Sequence, residues 1–311
     1  MARVRGRRYD AVDGLLLLNK PPGMTSNRAL QVVRRLLNAR KAGHTGSLDP
    51  SATGMLPLCF GEATKVCAYL LDADKTYRVT ARLGSATNTG DADNSETIAT
   101  AEVPELSFDE WNDILQGFLG ESTQIPPMYS ALKKDGKRLY ELARKGETVE
   151  REPRPIRIDQ IQLLEAAGTR LVIRVTCSKG TYVRTLVEDI AKQAGTVAHT
   201  ARLHRESVAG FRSEDMIDLA TVEARAEDDR DGLRDGLLPP DEALTGMASA
   251  EIDATDGPKF SGGQAVQVAA EGKEGLVRVY EAGRKFLGVG ELSGDGSLAP
   301  RRVFQIQEKT P

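Results

Sequence analysis

The chain has 311 residues, 40% hydrophobic and 28% charged, a composition that suits a soluble globular protein of one large and one smaller domain and excludes a disordered or fibrous chain. No apolar run approaches the roughly 18 residues a membrane span needs, and the basic start MARVRGRRYD has no apolar stretch after it, which excludes a secretory signal. The formal net charge of −3 hides an asymmetry: residues Ser213 to Asp256 carry −11 and the remainder +8, so the overall balance does not exclude nucleic acid as a partner.

In chain order, Gly14 to Lys20 reads as a buried strand stopped by Pro21-Pro22-Gly23. Ser26 is placed to cap a helix over Asn27 to Asn38, with Leu30, Val33 and Leu37 on one face. Tyr77 to Leu83 alternates strictly, Tyr77, Val79, Ala81 and Leu83 against Arg78, Thr80 and Arg82, as a half-buried strand does. A polar loop follows at Thr87 to Asn94, and Phe108 to Phe118 reads as a helix. Lys133 to Arg157 is a basic insert with 9 basic and 5 acidic residues, its middle (Arg138 to Lys145) a short helix. Arg170 to Thr176 alternates again, and Thr181 is expected to cap a helix running to about Ala194 and closed by Gly195. Leu219 to Ala226 is read as helical. From about Ser249 the pattern turns to short strands at Ala265–Val268, Leu276–Tyr280, Lys285–Glu291 and Val303–Ile306.

Cys59, Cys67 and Cys177 show no CxxC spacing, and His44, His199 and His204 have no metal-ligand pattern around them. Reduced, packed thiols and a cytoplasmic protein without structural metal are expected. Neither a phosphate-binding loop nor a dinucleotide fingerprint is present.

The densest chemistry lies in Gly43-His44-Thr45-Gly46-Ser47-Leu48-Asp49-Pro50-Ser51-Ala52-Thr53-Gly54. Glycines permit tight turns and close approach of a ligand. Pro50 fixes its own φ and disfavours the α region for Asp49, so this carboxylate is expected on a shaped loop rather than along a helix. Taken alone, such a segment is more often a structural loop with an Asx turn than a reactive one.

The full string, with four further blocks, resembles the TruB-type tRNA pseudouridine synthases. The resemblance runs from Gly14 to about Phe211, through GLLLLNKPPGMTSN (14–27), AGHTGSLDPSATGMLPLCFGEATK (42–65), KTYRVTARLGSATNTGDADN (75–94), IPPMYSALKKDGKRLYELARKGE (125–147) and CSKGTYVRTLVEDIA (177–191). It implies an α+β pseudouridine synthase fold with a mixed, largely antiparallel central sheet over residues 1–245. A thumb-like insert at about 125–157 and a small β-rich, PUA-like module over 249–311 would complete it. It implies an isomerase that converts the T-loop uridine of tRNA to pseudouridine, at position 55, without a cofactor.

By the same resemblance Asp49 is the catalytic aspartate, acting on the sugar, on the base ring, or by stabilising charge during base release. Arg184 pairs with it and helps to keep it ionised. Tyr77 stacks on the extracted base and is a candidate general base. Tyr182 and Leu203 belong to the uracil pocket, and Lys20 supports the active-site region. His44 enters the RNA loop as the uridine leaves its stack. Lys65, Lys133, Lys134, Lys137 and Arg138 are candidate contacts to RNA phosphates. The expected partner is the T-stem loop of tRNA, with no membrane, no obligatory protein partner and a monomeric state. Two other readings stay open, an RNA-guided synthase subunit and a non-catalytic tRNA-binding or folding protein. The basic insert and the short stretch before Gly14 favour the stand-alone enzyme.

Overall fold

The computed structural model describes residues 9–93, 95–269, 274–282 and 285–306; the basic arm at 1–8 lies outside the described residues. The chain forms β1 (Gly14–Lys20), α1 (Ser26–Leu36), β2 (Ala42–His44), β3 (Thr53–Phe60), α2 (Cys67–Asp72), β4 (Lys75–Leu83) and a hairpin of β5 (Ser85–Thr87) and β6 (Thr97–Thr100). Next come α3 (Phe108–Gln116), β7 (Gly120–Gln124) and the insert, with β8 (Lys133–Lys134), β9 (Lys137–Arg138) and α4 (Leu139–Ala143). β10 (Arg154–Ala167), β11 (Arg170–Cys177), α5 (Val183–Gln193), β12 (Ala198–Val208), β13 (Ile217–Asp218), α6 (Leu219–Asp228) and α7 (Arg230–Asp235) complete the body. The last segment holds β14 (Ala248–Ile252), α8 (Asp256–Ser261), β15 (Val266–Gln267), β16 (Gly275–Glu281), β17 (Lys285–Leu292) and β18 (Ser297–Val303).

The main sheet runs β13-β1-β3-β12-β4-β11-β10-β7, with β2 also on β3. Among the described residues its parallel pairs are β1 with β13 and β3 with β12; the other pairs are antiparallel. One row crosses its centre. Lys20 lies opposite Gly54, Gly54 beside Arg205, Arg205 opposite Tyr77, and Tyr77 opposite Val175. Directly opposed residues in a sheet present their side chains on one face, so this row gathers Lys20, Arg205 and Tyr77. Gly54 makes the row possible. Its φ is +98°, and a Cβ there would stand 2.3 Å from the Arg205 carbonyl oxygen, so only glycine lets the two strands approach.

β4 keeps the alternation read from its sequence, with Tyr77, Val79, Ala81 and Leu83 buried and Arg78 and Arg82 exposed. These four pack with Leu48, Trp111, Val183 and Leu186 in one core under α3 and α5. α1 covers the other end of the sheet, laying Ala29, Leu30 and Val33 against Leu16, Leu18, Leu56 and Leu58. Its cap differs from expectation. Thr25, not Ser26, accepts the Arg28 N–H at 3.1 Å, a contact worth about 1 kcal/mol. Ser26 is buried and turned to another task, described below. α5 likewise begins one residue later than a Thr181 cap requires, with Tyr182 at its N-cap position.

β3 is absent from the sequence reading for a physical reason. From Gly54 onward every residue of this strand is buried, so nothing alternates, and Pro57 argues against a central strand. β12 is obscured differently: register shifts at Thr200/Arg202 and Arg205/Ser207 break its pattern. β10 begins at Arg154, so the last residues assigned to the basic insert belong to the sheet. In the C-terminal sheet, β14 and α8 were not anticipated, and the final strand is Ser297–Val303 rather than Val303–Ile306. That sheet has its own core around Phe260, Val277 and Leu298. It also shares a second core with the body, where Phe286, Val289 and Phe304 meet Leu15, Met55 and Leu70.

Candidate functional site

The Asp49 loop is a turn fixed from several sides. The Ala52 N–H donates to the Asp49 carbonyl at 3.1 Å, with Pro50 at the position where its φ suits a type I or II turn. The Gly23 N–H holds the Pro50 carbonyl at 2.9 Å. Buried Ser26 reaches across from α1, its Oγ accepting from the Leu48 N–H at 2.8 Å and lying 3.2 Å from the Leu48 carbonyl. Lys20, fully buried, donates to the carbonyls of Pro21 (2.9 Å), Met24 (2.8 Å) and Pro50 (3.2 Å). Lys20 therefore acts on the backbone beside Asp49, and burial lowers its pKa to about 8.

These restraints leave the Asp49 carboxylate for Arg184. Arg184 Nε lies 3.0 Å from Asp49 Oδ2; the guanidinium side chain is 7% exposed and the carboxylate side chain 41%. The cation thus sits behind the anion, and the anion faces outward. The other guanidinium nitrogens donate to the carbonyls of Thr89 and Tyr129, each at 2.7 Å. The fork of Arg184 joins three separate segments, a geometry lysine cannot reproduce. Protein packed around Asp49 pushes its pKa up; Arg184 opposes the shift, and the nearby Asp91 charge adds to it. A carboxylate made more basic in this way, yet still paired, suits nucleophilic or charge-stabilising chemistry better than a free aspartate does.

Asp49 opens into a cleft of about 1130 Å³. His44, Ser47 and Asp91 line it on the Asp49 side, and Tyr129, Lys133, Arg138, Tyr140 and Arg144 on the insert side. His44 carries a buried Nδ1 with no hydrogen-bond partner, and burial lowers its pKa, helped by the Arg205 charge. A neutral imidazole lining a cleft can stack or hydrogen-bond without adding charge.

The other anticipated residues lie deeper. Tyr77 is 9% exposed within the apolar core and does not line the open cleft. Burial raises its phenol pKa, while the charge of Arg205 opposes the rise. Leu203 lies opposite Val79 on the adjacent strand and packs against the same core. Tyr182 is held by buried Gln124, which accepts from its N–H at 2.8 Å and donates to its carbonyl at 3.1 Å.

The basic candidates divide. In the β8–β9 hairpin Lys133 pairs with Arg138 and Lys134 with Lys137, so the pairs point to opposite faces. Lys133 and Arg138 line the cleft; Lys134 instead donates to the Glu150 carbonyl at 2.6 Å. Lys65 is engaged away from the cleft. Its Nζ is bound by Glu62 at 2.5 Å and by the Val303 carbonyl at 2.8 Å. It joins the body to the C-terminal sheet and does not line the cleft.

Three site residues were missed in the sequence. Asp91 accepts from Ser51 Oγ at 2.8 Å and tethers the far end of the Asp49 turn; its signal was a carboxylate inside the glycine- and threonine-rich NTGDAD stretch. Gln124 had no local signal. Arg205, 1% exposed, was visible only as a charged residue two positions after inward-facing Leu203.

Sequence profiles divide most of the chain, from residue 34 to 304, among three descriptions. Residues 34–183 match the TruB family pseudouridylate synthase N-terminal domain, 184–245 the tRNA pseudouridylate synthase B C-terminal domain, and 248–304 the pseudouridine synthase II TruB C-terminal domain. Among curated proteins, tRNA pseudouridine synthase B of Nitrosococcus oceani is 48% identical over 97% of this chain and 98% of its own length. That of Aromatoleum aromaticum is 50% identical over 94% of this chain and 92% of its own. The chain belongs to the TruB family. Among solved structures, a Cbf5–Nop10–Gar1 complex superposes with a TM-score of 0.74 at 25% identity, covering 95% of this chain and 86% of the matched one. An H/ACA ribonucleoprotein bound to a substrate RNA containing 2′-deoxyuridine gives 0.72 at 24% identity, over 94% and 85%. The fold is therefore that of the pseudouridine synthases, with a β-rich C-terminal sheet. No described helix is long and apolar enough to cross a membrane.

Proposed function

We propose that this protein is a stand-alone tRNA pseudouridine synthase that isomerises the T-loop uridine at position 55, with Asp49 as its catalytic carboxylate. In this isomerisation the C1′–N1 bond of the nucleotide breaks, the base turns, C1′ bonds to C5, C5 gives up its proton, and N1 takes one up. No electrons enter or leave, so the reaction itself requires no redox cofactor. The observation that carries the reading is the Asp49–Arg184 pair at 3.0 Å, its carboxylate facing a basic-edged cleft. It stands in a chain 48–50% identical over nearly its full length to curated tRNA pseudouridine synthase B.

Asp49 attacks the nucleotide or stabilises charge as the base departs; Arg184 orients it, and Tyr77, behind the open cleft, stacks on the base once it enters and takes the C5 proton as the phenolate, the form that the neighbouring Arg205 charge favours. His44 fills the space the extruded uridine leaves, at the few kcal/mol that unstacking costs. Tyr182 and Leu203 bound the pocket, and Lys133 and Arg138 hold phosphates of the T stem. Residues 1–245 form the catalytic domain, and 249–311 an accessory RNA-binding module. The enzyme works in the cytoplasm as a monomer. The RNA-guided alternative is disfavoured because its solved relatives are only 24–25% identical and because the cleft carries its own basic insert.

The test is purified protein alone with an unmodified tRNA transcript, scored for pseudouridine at the T-loop position. Stoichiometric conversion is expected. Conversion only with added guide RNA, or binding without conversion, would reject the reading.

A further inference from the structure

The Asp49 loop and Tyr77 stand on separate segments, and a side chain remote from both in sequence, Arg205, reaches the loop from the strand beside Tyr77. It lies in the central row of the sheet, directly opposite Tyr77. Its Nε donates to the Met55 carbonyl at 2.6 Å and its Nη2 to the Gly46 carbonyl at 2.9 Å. Gly46 is in the loop that carries Asp49, with φ +69°, and a Cβ on it would stand 3.2 Å from Arg205 Nη1. The backbone of Arg205 is itself clamped against Gly54, and bulges on either side of Arg202–Arg205 re-aim this stretch of β12.

Burial makes the arrangement costly. Arg205 is 1% exposed, and no carboxylate pairs with it among the described residues. A buried charge without a counter-ion is normally destabilising. An apolar residue would serve a purely structural strand better. Lys20 and Lys75 are likewise buried beside it, with their ammonium groups on backbone carbonyls, and each feels the charge of Arg205. A guanidinium kept among other cations, with its donors aimed at loop and strand carbonyls, does something that apolar packing cannot.

We infer that Arg205 is a positioning residue for the isomerisation: its fork sets the Asp49 loop at a fixed distance from Tyr77, so that the chemical step depends on it while tRNA binding does not. The inference rests on Asp49 and Tyr77 carrying the reaction. Arg205 does not line the cleft, so the RNA surface is left intact when it is replaced. Lysine keeps the charge but offers no planar fork to two carbonyls in different directions, so it should restore function only in part.

The experiment compares full-length wild type, Arg205→Met, Arg205→Lys and Asp49→Asn on an unmodified tRNA transcript. Single-turnover rate at saturating enzyme and tRNA Kd are both read. For Arg205→Met the rate should fall about 100-fold with Kd within about threefold of wild type, and Arg205→Lys should recover about tenfold of the loss. A normal rate, or rate and affinity falling in step with no rescue by lysine, would overturn the inference. If the Arg205 variants do not fold, Gly46→Ala presses on the same contact from the loop side without removing the charge. It should lower the rate about tenfold or more at unchanged Kd, and a normal rate there overturns the inference equally. Asp49→Asn separates the two levels. If it remains active, the proposed chemistry itself fails; if it is inactive while Arg205→Met is normal, only the role of Arg205 fails.

Discussion

The two walls of the cleft are built by opposite rules. On the Asp49 side, each cation is buried and aimed at backbone: Lys20 holds three carbonyls, Arg205 two, and Arg184 two carbonyls and the carboxylate. On the insert side, Lys133, Lys134, Lys137 and Arg138 are exposed, on strands of two residues. Buried donors fix geometry to tenths of an ångström, which chemistry at a single bond requires. Exposed cations on a short hairpin move with their ligand and contribute mainly screened, salt-dependent attraction. Under the proposed function, one side reacts and the other holds.

The largest expected effect that tests this division is Asp49→Asn. It keeps the shape and removes the charge, so turnover should fall more than about 1000-fold, upwards of roughly 4 kcal/mol in barrier, while tRNA affinity changes little. Residual turnover within about tenfold of wild type would remove Asp49 from the chemistry. Next is Arg184→Lys, for which a loss of about 100-fold in single-turnover rate is expected because one ammonium cannot serve Asp49, Thr89 and Tyr129 together. A near-normal rate for this variant would show that the pair needs only a charge.

pH sharpens the same contrast. On the proposed chemistry Asp49 acts in its ionised form; burial raises its pKa from 3.8, so the acid limb of the pH–rate profile should lie above the ordinary aspartate value. Lys20 has its pKa lowered from 10.5 to about 8. Its neutral amine has one donor too few for three carbonyls, so the rate should decline above about pH 8 as the turn loosens. Stability should move the other way. Between about 8 and 10.5 the unfolded chain binds the proton that native Lys20 has released, so this group makes stability rise with pH across that window. Lys75, with the same lowered value, adds to the stability effect. Lys20→Arg, which stays charged, should shift the alkaline limb upward; an unmoved limb would assign it to another group.

The smallest effect belongs to the insert. Lys133→Ala with Arg138→Ala, on the cleft face, should weaken tRNA binding about fivefold to tenfold and flatten its salt slope by about 1.5. Lys134→Ala with Lys137→Ala, on the other face, should change affinity less than about twofold. Equal effects from the two pairs would mean that the hairpin face does not matter and that the cations act only through net charge.

How much of this was legible in the sequence follows the range of the interactions. The alternation of Tyr77–Leu83 and the Pro50-directed turn at Asp49 depend on neighbours in the chain, and both are where the sequence put them. Asp49 and Arg184 were paired through resemblance, and the structure brings them to 3.0 Å. The Asx turn that the loop sequence also permitted is not formed, because the carboxylate is drawn to Arg184 and the backbone closes the turn itself. The contacts of Ser26 with Leu48, Ser51 with Asp91 and Arg205 with Gly46 were not legible. Each joins a side chain to a segment between 22 and 159 residues away, with no local pattern to announce it. β3 was hidden because a strand buried on both faces does not alternate, and Lys65 because a charged residue near a glycine turn carries no sign of what it faces.

The division of labour is tested most directly by measuring tRNA Kd and single-turnover rate side by side for Asp49→Asn and for the Lys133→Ala, Arg138→Ala double variant. The account predicts a crossed result: Asp49→Asn binds like wild type and does not react, while the double variant binds more weakly yet reacts within about threefold of the wild-type rate once saturated. If the double variant loses rate at saturation as severely as Asp49→Asn, or if Asp49→Asn loses binding as the double variant does, the two walls do not divide the work and the account is wrong.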